Sequence, residues 1–444
     1  MGALIPSFGG VIYTAIAFVV ALSIIVAVHE FGHYIVGRWS GIKAEVFSLG
    51  FGPALVSRVD KRGTRWQLSV LPLGGYVRFL GDSDAASGRD GEAIIQLTDA
   101  ERRQTMHGAP LWARAATVLA GPAFNMIFSV LLLTGLYLAA GVATNPPTVG
   151  RLDPLPPAQT GTLKAGDVIL ALNGMPTPDT VTLAGLAAKL DPAPTVRYSI
   201  RRDGTEMTVD GPYPMPPRAD GVAPDSAAGA AGLKFGDVIE AVNGTPVYAF
   251  DQLRQAVTAS QGKPLALTVW HDGAVRQVTL TPRRSDVPTA SGGFETRWLI
   301  GITGGLAFTP NTRMPGVLEA LGRAFDTTRY TVVTSLSGLY HMITGAISSC
   351  NLHGPIGIAE TSGMAASQGT MSFLNFIAML STAVGLLNLF PVPVLDGGHL
   401  VFHAWEAVTG RPPSDFALRV LMGGGLVLIL SLMLFALSND LLCP

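Results

Sequence analysis

The apolar run 11–28 leads directly into H-E-F-G-H at residues 29–33, and this junction constrains the chain more than any other stretch. On a helix, His29 and His33 lie four residues apart on one face, where both imidazoles can bind one zinc ion. Glu30 is placed to accept a proton from the attacking water. The run approaches the length of a bilayer span, so the motif belongs to a membrane helix that carries polar chemistry into lipid. The alternative is a soluble core helix with a satisfied histidine pair, and the uncharged run before the motif argues against it.

The N-terminal apolar run shows neither a basic region before it nor a small-residue cleavage site after it. A secretory signal peptide carries both features. We therefore expect residues 1–37 to be retained as the first transmembrane helix.

Three further stretches, 113–143, 371–398 and 418–438, are apolar and approach or exceed the roughly 20 residues that a bilayer span requires. Segment 315–349 differs, because charged residues recur on one side of a helical pattern and apolar residues on the other. We expect it to form an amphipathic helix on the membrane or beside the helix bundle. With 48% hydrophobic and 14% charged residues, the composition is typical of a membrane protein combined with soluble parts. The sequence thus predicts a polytopic α-helical membrane protein with four transmembrane helices.

Basic residues in two short loops predict the orientation of the chain, because such loops stay in the cytoplasm. These residues are Arg38, Lys43, Arg58, Lys61, Arg62 and Arg65 after the first helix, and Arg411 and Arg419 before the last. Both termini and the long segment between the second and third helices are then expected outside the cytoplasm. A net charge of -1 gives no reason to expect a nucleic-acid partner.

Region 38–112 follows the histidine motif and contains, at 42–80, alternating apolar and polar residues punctuated by glycine. This pattern predicts a small antiparallel β-sheet, cytoplasmic or dipping into the membrane, followed by a polar loop. An edge of this sheet could bind an extended peptide close to the histidines. A purely structural sheet fits the spacing equally well.

The extracytoplasmic segment contains an internal repeat. L-K-A-G-D-V-I-L-A-L-N-G at 163–174 recurs 70 residues later as L-K-F-G-D-V-I-E-A-V-N-G at 233–244. We therefore expect two tandem domains, 148–213 and 214–284, each with a helix and an Asp-Gly hairpin. The pattern resembles bacterial PDZ domains, which bind an extended peptide or a C-terminus by strand addition beside a helix. A structural spacer role for one or both copies remains open.

Two histidines leave a catalytic zinc one protein ligand short. The metzincin continuation fails, because Val36 and Trp39 stand where glycine and histidine would be needed. N-L-F-P-V-P-V-L-D-G-G-H at 388–399 offers Asp396, where two prolines break a helix at membrane depth on the same side as the histidines. The other candidates for this ligand position are Glu45, His399 and His403.

Together, H-E-F-G-H in the first membrane helix and N-x-x-P-x-P-x-L-D-G in the third, with PDZ-like domains between them, resemble the site-2 protease (M50) family of intramembrane zinc metalloproteases. The resemblance covers nearly the whole chain. Further matching stretches are G-F-G-P at 50–53, P-L-G-G-Y-V at 72–77, G-P-A-F-N at 121–125 and G-P-I at 354–356.

The resemblance implies one zinc ion bound by His29, His33 and Asp396, with Glu30 as the catalytic residue that activates water. It also implies that Asn388 helps to hold the substrate backbone. The other residues expected to contact substrate are Gly74, Gly75, Tyr76, Pro391 and Pro393.

The implied activity is that of a metalloendopeptidase of the bacterial inner membrane. Its substrates would be single-pass membrane proteins of the anti-sigma factor type, cut within their transmembrane segments during regulated intramembrane proteolysis after a first cleavage on the outer side. Remnant signal peptides are a further implied substrate, and the PDZ-like pair would act as a size filter.

Two other classes of protein remain as alternatives. One is a non-enzymatic PDZ-bearing membrane receptor or scaffold with a structural metal site, and the intact Glu30 argues against it. The other is a metal transporter, in which tandem PDZ-like domains and N-x-x-P-x-P would have no place.

Overall fold

Four helices in the described residues are long and apolar enough to cross a membrane, in agreement with the predicted number. The computed structural model describes residues 8–82, 97–223, 226–289 and 293–442, so that most of the predicted polar loop, at 83–96, lies outside the described residues. The four helices are α1 (Phe8–Trp39), α3 (Leu111–Ala140), α9 (Thr370–Asn388) and α11 (Asp415–Leu442).

The chain divides into two units by its internal contacts. Unit 1 comprises Met1–Leu136, Val317–Leu339 and Ser349–Cys443, and unit 2 comprises Tyr137–Gly316 and Tyr340–Ser348, with Pro444. The other helices are α2 (Asp99–Arg102), α4 (Thr180–Ala187), α5 (Ala227–Ala230), α6 (Phe250–Ala259), α7 (Val317–Ile343), α8 (Pro355–Ser367) and α10 (Asp396–Thr409). Two short 3-10 helices are Pro157–Gln159 and Ser349–Asn351.

The helices of unit 1 pack through small residues and hydroxyl groups. Gly363 of α8 approaches α1 so closely that a Cβ atom would lie 2.4 Å from the Thr14 hydroxyl. Between α3 and α9, the Ser129 hydroxyl donates to the Ala378 carbonyl at 2.7 Å. Lipid supplies no hydrophobic force between helices, so close packing and interhelical hydrogen bonds of this kind hold a membrane bundle together.

The last helix holds the start of α8 through a carboxylate. Asp440 of α11 accepts hydrogen bonds from the backbone N–H groups of Gly354, Ile356 and Gly357, at 2.8, 3.0 and 3.1 Å. Pro355, which has no N–H group, is the first residue of α8. A negative charge at this end of a helix satisfies its free amides and complements its dipole. The start of α8, within G-P-I at 354–356, is therefore capped by a side chain of another helix.

The predicted third span, 371–398, is broken in the structure where the sequence has its two prolines. The helix α9 ends at Asn388, and Asp396 is the first residue of a separate helix, α10. The turn between them is tight, because a Cβ atom at Gly397 would lie 2.3 Å from the Leu389 carbonyl oxygen. Prolines in this turn cannot continue α9, and glycine is required where the chain folds back onto it.

The region after α1 forms a long antiparallel hairpin of β1 (Ala44–Val59) and β2 (Arg65–Phe79), as the alternating pattern predicts. Its base is buried against α1 and α3, with Phe47 and Val77 in the core beside Tyr34. The outer half of β1, residues 51–59, is exposed. The hairpin therefore has a buried base and an exposed outer half.

Unit 2 contains two four-stranded sheets of the same topology, which confirms the internal repeat. The first has the order β6-β5-β7-β8 and the second β11-β10-β12-β13. Their strands are β5 (Val168–Leu172), β6 (Met175–Pro176), β7 (Thr195–Arg202), β8 (Thr205–Pro212), β10 (Val238–Val242), β11 (Thr245–Pro246), β12 (Leu265–His271) and β13 (Ala274–Leu280). Asp203-Gly204 and Asp272-Gly273 have positive φ angles at both positions, which is typical of the predicted two-residue hairpin turns.

The aspartate of each repeated G-D pair is buried, and its carboxylate makes hydrogen bonds and an ion pair. Asp167 accepts a hydrogen bond from the Lys164 amide and pairs with Arg202. Asp237 accepts from the Lys234 amide and pairs with Arg276. Burying a carboxylate is costly unless it is paired, so the repeat preserves this residue for a structural reason.

The chain after the second repeat returns to pair with earlier strands of unit 2. The pairs join β3 (Val142–Ala143) to β18 (Thr312–Arg313), β4 (Val149–Leu152) to β17 (Phe308–Pro310) and β9 (Gly221–Val222) to β16 (Ile302–Thr303). A further hairpin joins β14 (Arg283–Pro288) to β15 (Phe294–Leu299). Unit 2 thus continues to Gly316, beyond the predicted boundary at 284.

The predicted amphipathic segment is the helix α7. Its apolar side chains include Leu318 and Phe325, which are 83% and 59% exposed. Glu319 and Arg323, one helical turn apart, form an exposed ion pair. An exposed apolar stripe beside charged residues is the pattern expected of a helix at a membrane surface.

A bidentate ion pair joins α3 to α10. The Arg114 guanidinium donates to Glu406 at 2.6 and 3.0 Å, and both side chains are less than one-fifth exposed. These hydrogen bonds from Arg114 hold the pKa of Glu406 below its usual value. The contribution of the pair to stability is therefore present above the unfolded-state pKa of the carboxyl and is lost as the pH falls through its lower folded-state pKa.

We expect Arg114→Ala and Glu406→Ala each to lower the free energy of unfolding by about 1–3 kcal/mol, because each leaves a charged partner unpaired. The double variant should be no less stable than the worse single variant. Thermal unfolding of the purified protein in detergent would measure this, with the exposed pair partner Arg323→Ala as a control that changes little. Fully additive losses from the two variants would contradict the coupling.

Candidate active site

The helix α1 and the first residue of α10 bring His29, His33 and Asp396 together. The two Nε2 atoms lie 3.2 Å apart, and the carboxylate oxygens of Asp396 lie 3.1 Å from His29 Nε2 and 3.5 Å from His33 Nε2. One ligand atom from each residue falls within 4.8 Å of the other two. Within the part of the chain that the structure describes, this is the one group of three or more metal-type side chains.

The atoms of this group fit a metal ion. His33 Nδ1 donates to the Thr117 carbonyl at 2.8 Å, which leaves Nε2 with a free lone pair. The Oδ2 atom of Asp396 is buried and has no partner of good hydrogen-bond geometry among the described residues, although it faces His29. Atoms that carry lone pairs face one another at low cost only around a cation. Two imidazole nitrogens and one carboxylate oxygen are the ligands of a catalytic zinc site with one position left open.

One face of α3 lies directly behind the two histidines. Thr117, Gly121 and Asn125 follow at intervals of four residues and therefore share this face. A Cβ atom at Gly121 would lie 2.3 Å from His33 Nε2 and 2.8 Å from His29 Cε1. Only glycine leaves room here for both imidazoles. The sequence shows this face through its four-residue spacing, but only the fold shows that it meets the histidines.

The hairpin strand β2 lies against Glu30. A Cβ atom at Gly75 would lie 3.3 Å from Glu30 Cγ and 2.7 Å from the Ser48 carbonyl oxygen. The base of the hairpin therefore borders the carboxylate of the H-E-x-x-H motif.

The neighbours of Gly75 shape the hairpin rather than touch the histidines. Gly74 has φ +130 and faces the Phe51 ring, which a Cβ atom would meet at 2.5 Å. Tyr76 stacks on Phe51 with 6.1 Å between ring centroids and accepts a hydrogen bond from Gln67. Contact of Gly74, Gly75 and Tyr76 with substrate stays a prediction.

The residues that precede Asp396 lie at the break between two helices. Asn388 is the last residue of α9, and Pro391 and Pro393 lie in the turn that leads to α10. Their roles in substrate binding stay predictions.

The rival ligand candidates lie outside the metal-type group formed by the described residues. Glu45 pairs with Arg78 at 3.3 Å. His399 and His403 lie on α10 beyond Asp396.

Residues 17–432 match the model of peptidase family M50, and the chain therefore belongs to this family. A relative from Agrobacterium fabrum, whose name designates it a candidate zinc metalloprotease, is 34% identical over 434 residues, covering 96% of this chain and 95% of that protein. The regulator of sigma-E protease RseP of Salmonella typhimurium is 33% identical over 463 residues, covering 97% of this chain and 98% of that protein. The predicted resemblance to the site-2 protease (M50) family and to RseP is confirmed.

Family and fold together define a zinc metalloprotease with membrane-spanning helices. With relatives of the RseP type and four candidate spans, it is a protein of the bacterial inner membrane.

We expect Gly121→Ala to lower zinc affinity by about 10-fold or more, because the added methyl group would displace the ligating imidazoles. Gly135→Ala is the matched control, since it lies on the same helix and its added Cβ would meet nothing within 4 Å. Zinc content of the purified proteins, measured by elemental analysis after dialysis against a weak chelator, would show the difference. Equal zinc retention by the two variants would contradict the close approach of α3 to the histidines.

Proposed function

We propose that this protein is a zinc-dependent intramembrane endopeptidase of the site-2 protease type, which cleaves the transmembrane segments of single-pass membrane proteins. One observation carries the proposal. His29 and His33 lie on a helix that is long and apolar enough to span a membrane, and Asp396 of α10 meets them there. Ionisable residues inside a membrane segment are costly and are retained for function. A soluble protease of this class would not need its ligands there.

The residues have distinct roles in this reaction. His29, His33 and Asp396 would hold one zinc ion, which polarises the scissile carbonyl and acidifies the attacking water. Glu30 accepts the proton from that water and later delivers it to the leaving amine. The strand β2 borders Glu30 at Gly75 and so limits the positions open to its carboxylate.

A helical substrate must unwind before it can be cut, because its carbonyl groups are already hydrogen-bonded. Each backbone group freed in hydrocarbon needs a new partner, since an unsatisfied one costs several kcal/mol. The strand β2 can supply such partners next to Glu30, because Gly75 leaves the strand close to this carboxylate. Asn388 supplies a further side-chain amide near the break that precedes Asp396.

The positions of the basic residues support an active site toward the cytoplasmic half of the membrane and repeats on the outer side. In this arrangement the two repeats act as PDZ-like domains that bind peptides or C-termini and admit substrates already shortened on the outer side. The likeness to RseP, which is named as a regulator of sigma-E, supports substrates of the anti-sigma factor type, and remnant signal peptides would be cut by the same chemistry.

We expect Glu30→Gln to reduce cleavage about 10²–10⁴-fold, because the amide cannot accept the proton, while one zinc ion per chain stays bound. The measurement is cleavage of a single-pass model substrate in liposomes, followed on gels, together with elemental analysis of the purified protein. His33→Ala is the matched comparison and should lose both zinc and cleavage. Full activity of Glu30→Gln would contradict the proposed reaction.

The size filter can be tested by excising the repeats. Val142 of β3 pairs with Arg313 of β18, so their backbones are adjacent and a short glycine linker can join them after removal of residues 143–312. We expect the wild type to prefer an outer-trimmed substrate and the excised variant to cleave trimmed and full-length forms equally. Zinc content serves as the control for an intact active site. An unchanged preference in the zinc-loaded variant would contradict the filter.

A further inference from the structure

We propose that Asn125 is a positioning residue for the metal site: its side-chain oxygen accepts the Nδ1–H of His29 and so reserves His29 Nε2 for zinc. This inference rests on the proposed zinc site and adds a residue outside its three ligands. Metal-binding histidines characteristically donate their second N–H group to an acceptor, which fixes the ring and its tautomer.

The side chain of Asn125 is fully buried and lies beside His29. Its Nδ2 atom lies 3.3 Å from His29 Nδ1, and its residue is 0% exposed. It belongs to α3, one of the four helices apolar enough to cross a membrane. A buried amide in such a helix is costly unless a specific partner offsets its loss of water.

The orientation of the amide decides what His29 can bind. As placed, Nδ2 faces His29 Nδ1, and Oδ1 has no partner among the described residues. If Nδ2 donated to Nδ1, the proton of His29 would sit on Nε2, the atom that faces His33 and Asp396, and no lone pair would remain there. With the amide turned by half a rotation, which exchanges two groups of nearly equal size, Oδ1 accepts Nδ1–H and Nε2 is free for a metal ion.

The other histidine shows the same arrangement without this ambiguity. His33 Nδ1 donates to the Thr117 carbonyl, a backbone oxygen that can only accept. Thr117 and Asn125 stand one helical turn on either side of Gly121, which makes room for both rings. One face of α3 thus supplies an acceptor to each histidine. The acceptor for His29 is a side chain and can be changed by mutation.

Asn125 is itself held in place by α9. Its backbone carbonyl oxygen accepts hydrogen bonds from the hydroxyl groups of Ser381 of α9, at 3.1 Å, and of Ser129 on its own helix, at 3.0 Å. Gly385 packs against its Cβ atom, at 3.2 Å from the position of an added methyl group. The backbone of Asn125 therefore has little freedom, and the side chain can orient His29 with small loss of entropy.

The test compares three variants of the full-length protein with the wild type. Asn125→Leu removes the acceptor and keeps the size, and Asn125→Asp restores an acceptor. Thr134→Ala is the packing control, because it removes a buried hydroxyl of the same helix that bonds only the Val130 carbonyl. Zinc affinity is measured by competition with a chromophoric chelator, and the cobalt-substituted proteins are compared by their visible absorption.

We expect Asn125→Leu to bind zinc about 10–100-fold more weakly and to alter the cobalt absorption band, because His29 loses its fixed orientation. Asn125→Asp should bind zinc at least as tightly as the wild type, and Thr134→Ala should bind it equally. Unchanged affinity and spectrum in Asn125→Leu would overturn the role of Asn125 and leave the zinc site intact. Equal losses in Asn125→Leu and Thr134→Ala would overturn it in favour of packing. A wild type that binds no zinc would instead overturn the proposed function.

Discussion

The rest of unit 1 depends on one interaction. Two imidazoles and one carboxylate face one another inside a membrane helix bundle. Outside a bilayer, water would satisfy these groups wherever they lay. In hydrocarbon they are tolerable only together and around a cation, so the helices that carry them must meet at one point. The tight break before Asp396, the bidentate Arg114–Glu406 pair and the hydroxyl groups between α3 and α9 all serve to hold that meeting point.

Clearance at this point is provided by glycine on three different elements. A Cβ atom at Gly32 would lie 2.5 Å from the Ala120 carbonyl oxygen, which sets the approach of α1 to α3. Gly121 makes room for the histidines, and Gly397 lets the chain fold back directly after Asp396. Each of these residues removes a side chain where two backbones or a backbone and a ligand must touch. Glycine at these positions therefore determines the shape of the site as much as the groups that would bind metal do.

The sequence predicts those features that depend on local spacing. His29 and His33 follow from the helical period, the four spans from apolar length, and the two repeats from their twelve-residue match. The sequence does not predict features that depend on which distant elements of the chain lie side by side. The approach of Gly75 to Glu30 and of Asn125 to His29 joins elements far apart in the chain, and nothing local marks their contact. The return strands of unit 2 were missed for a related reason, because strands of two or three residues are too short to show a period.

The carboxylate of Asp440, which caps the start of α8, has a consequence for biosynthesis. The helix α8 packs closely against α1, so a side chain of α11 stabilises the neighbour of a helix that is synthesised well before it. Asp396 also follows the histidines by most of the length of the protein. A nascent chain thus carries His29 and His33 without Asp396 while the residues between them are translated. The group of three side chains can form only after α10, which begins with Asp396, has been made.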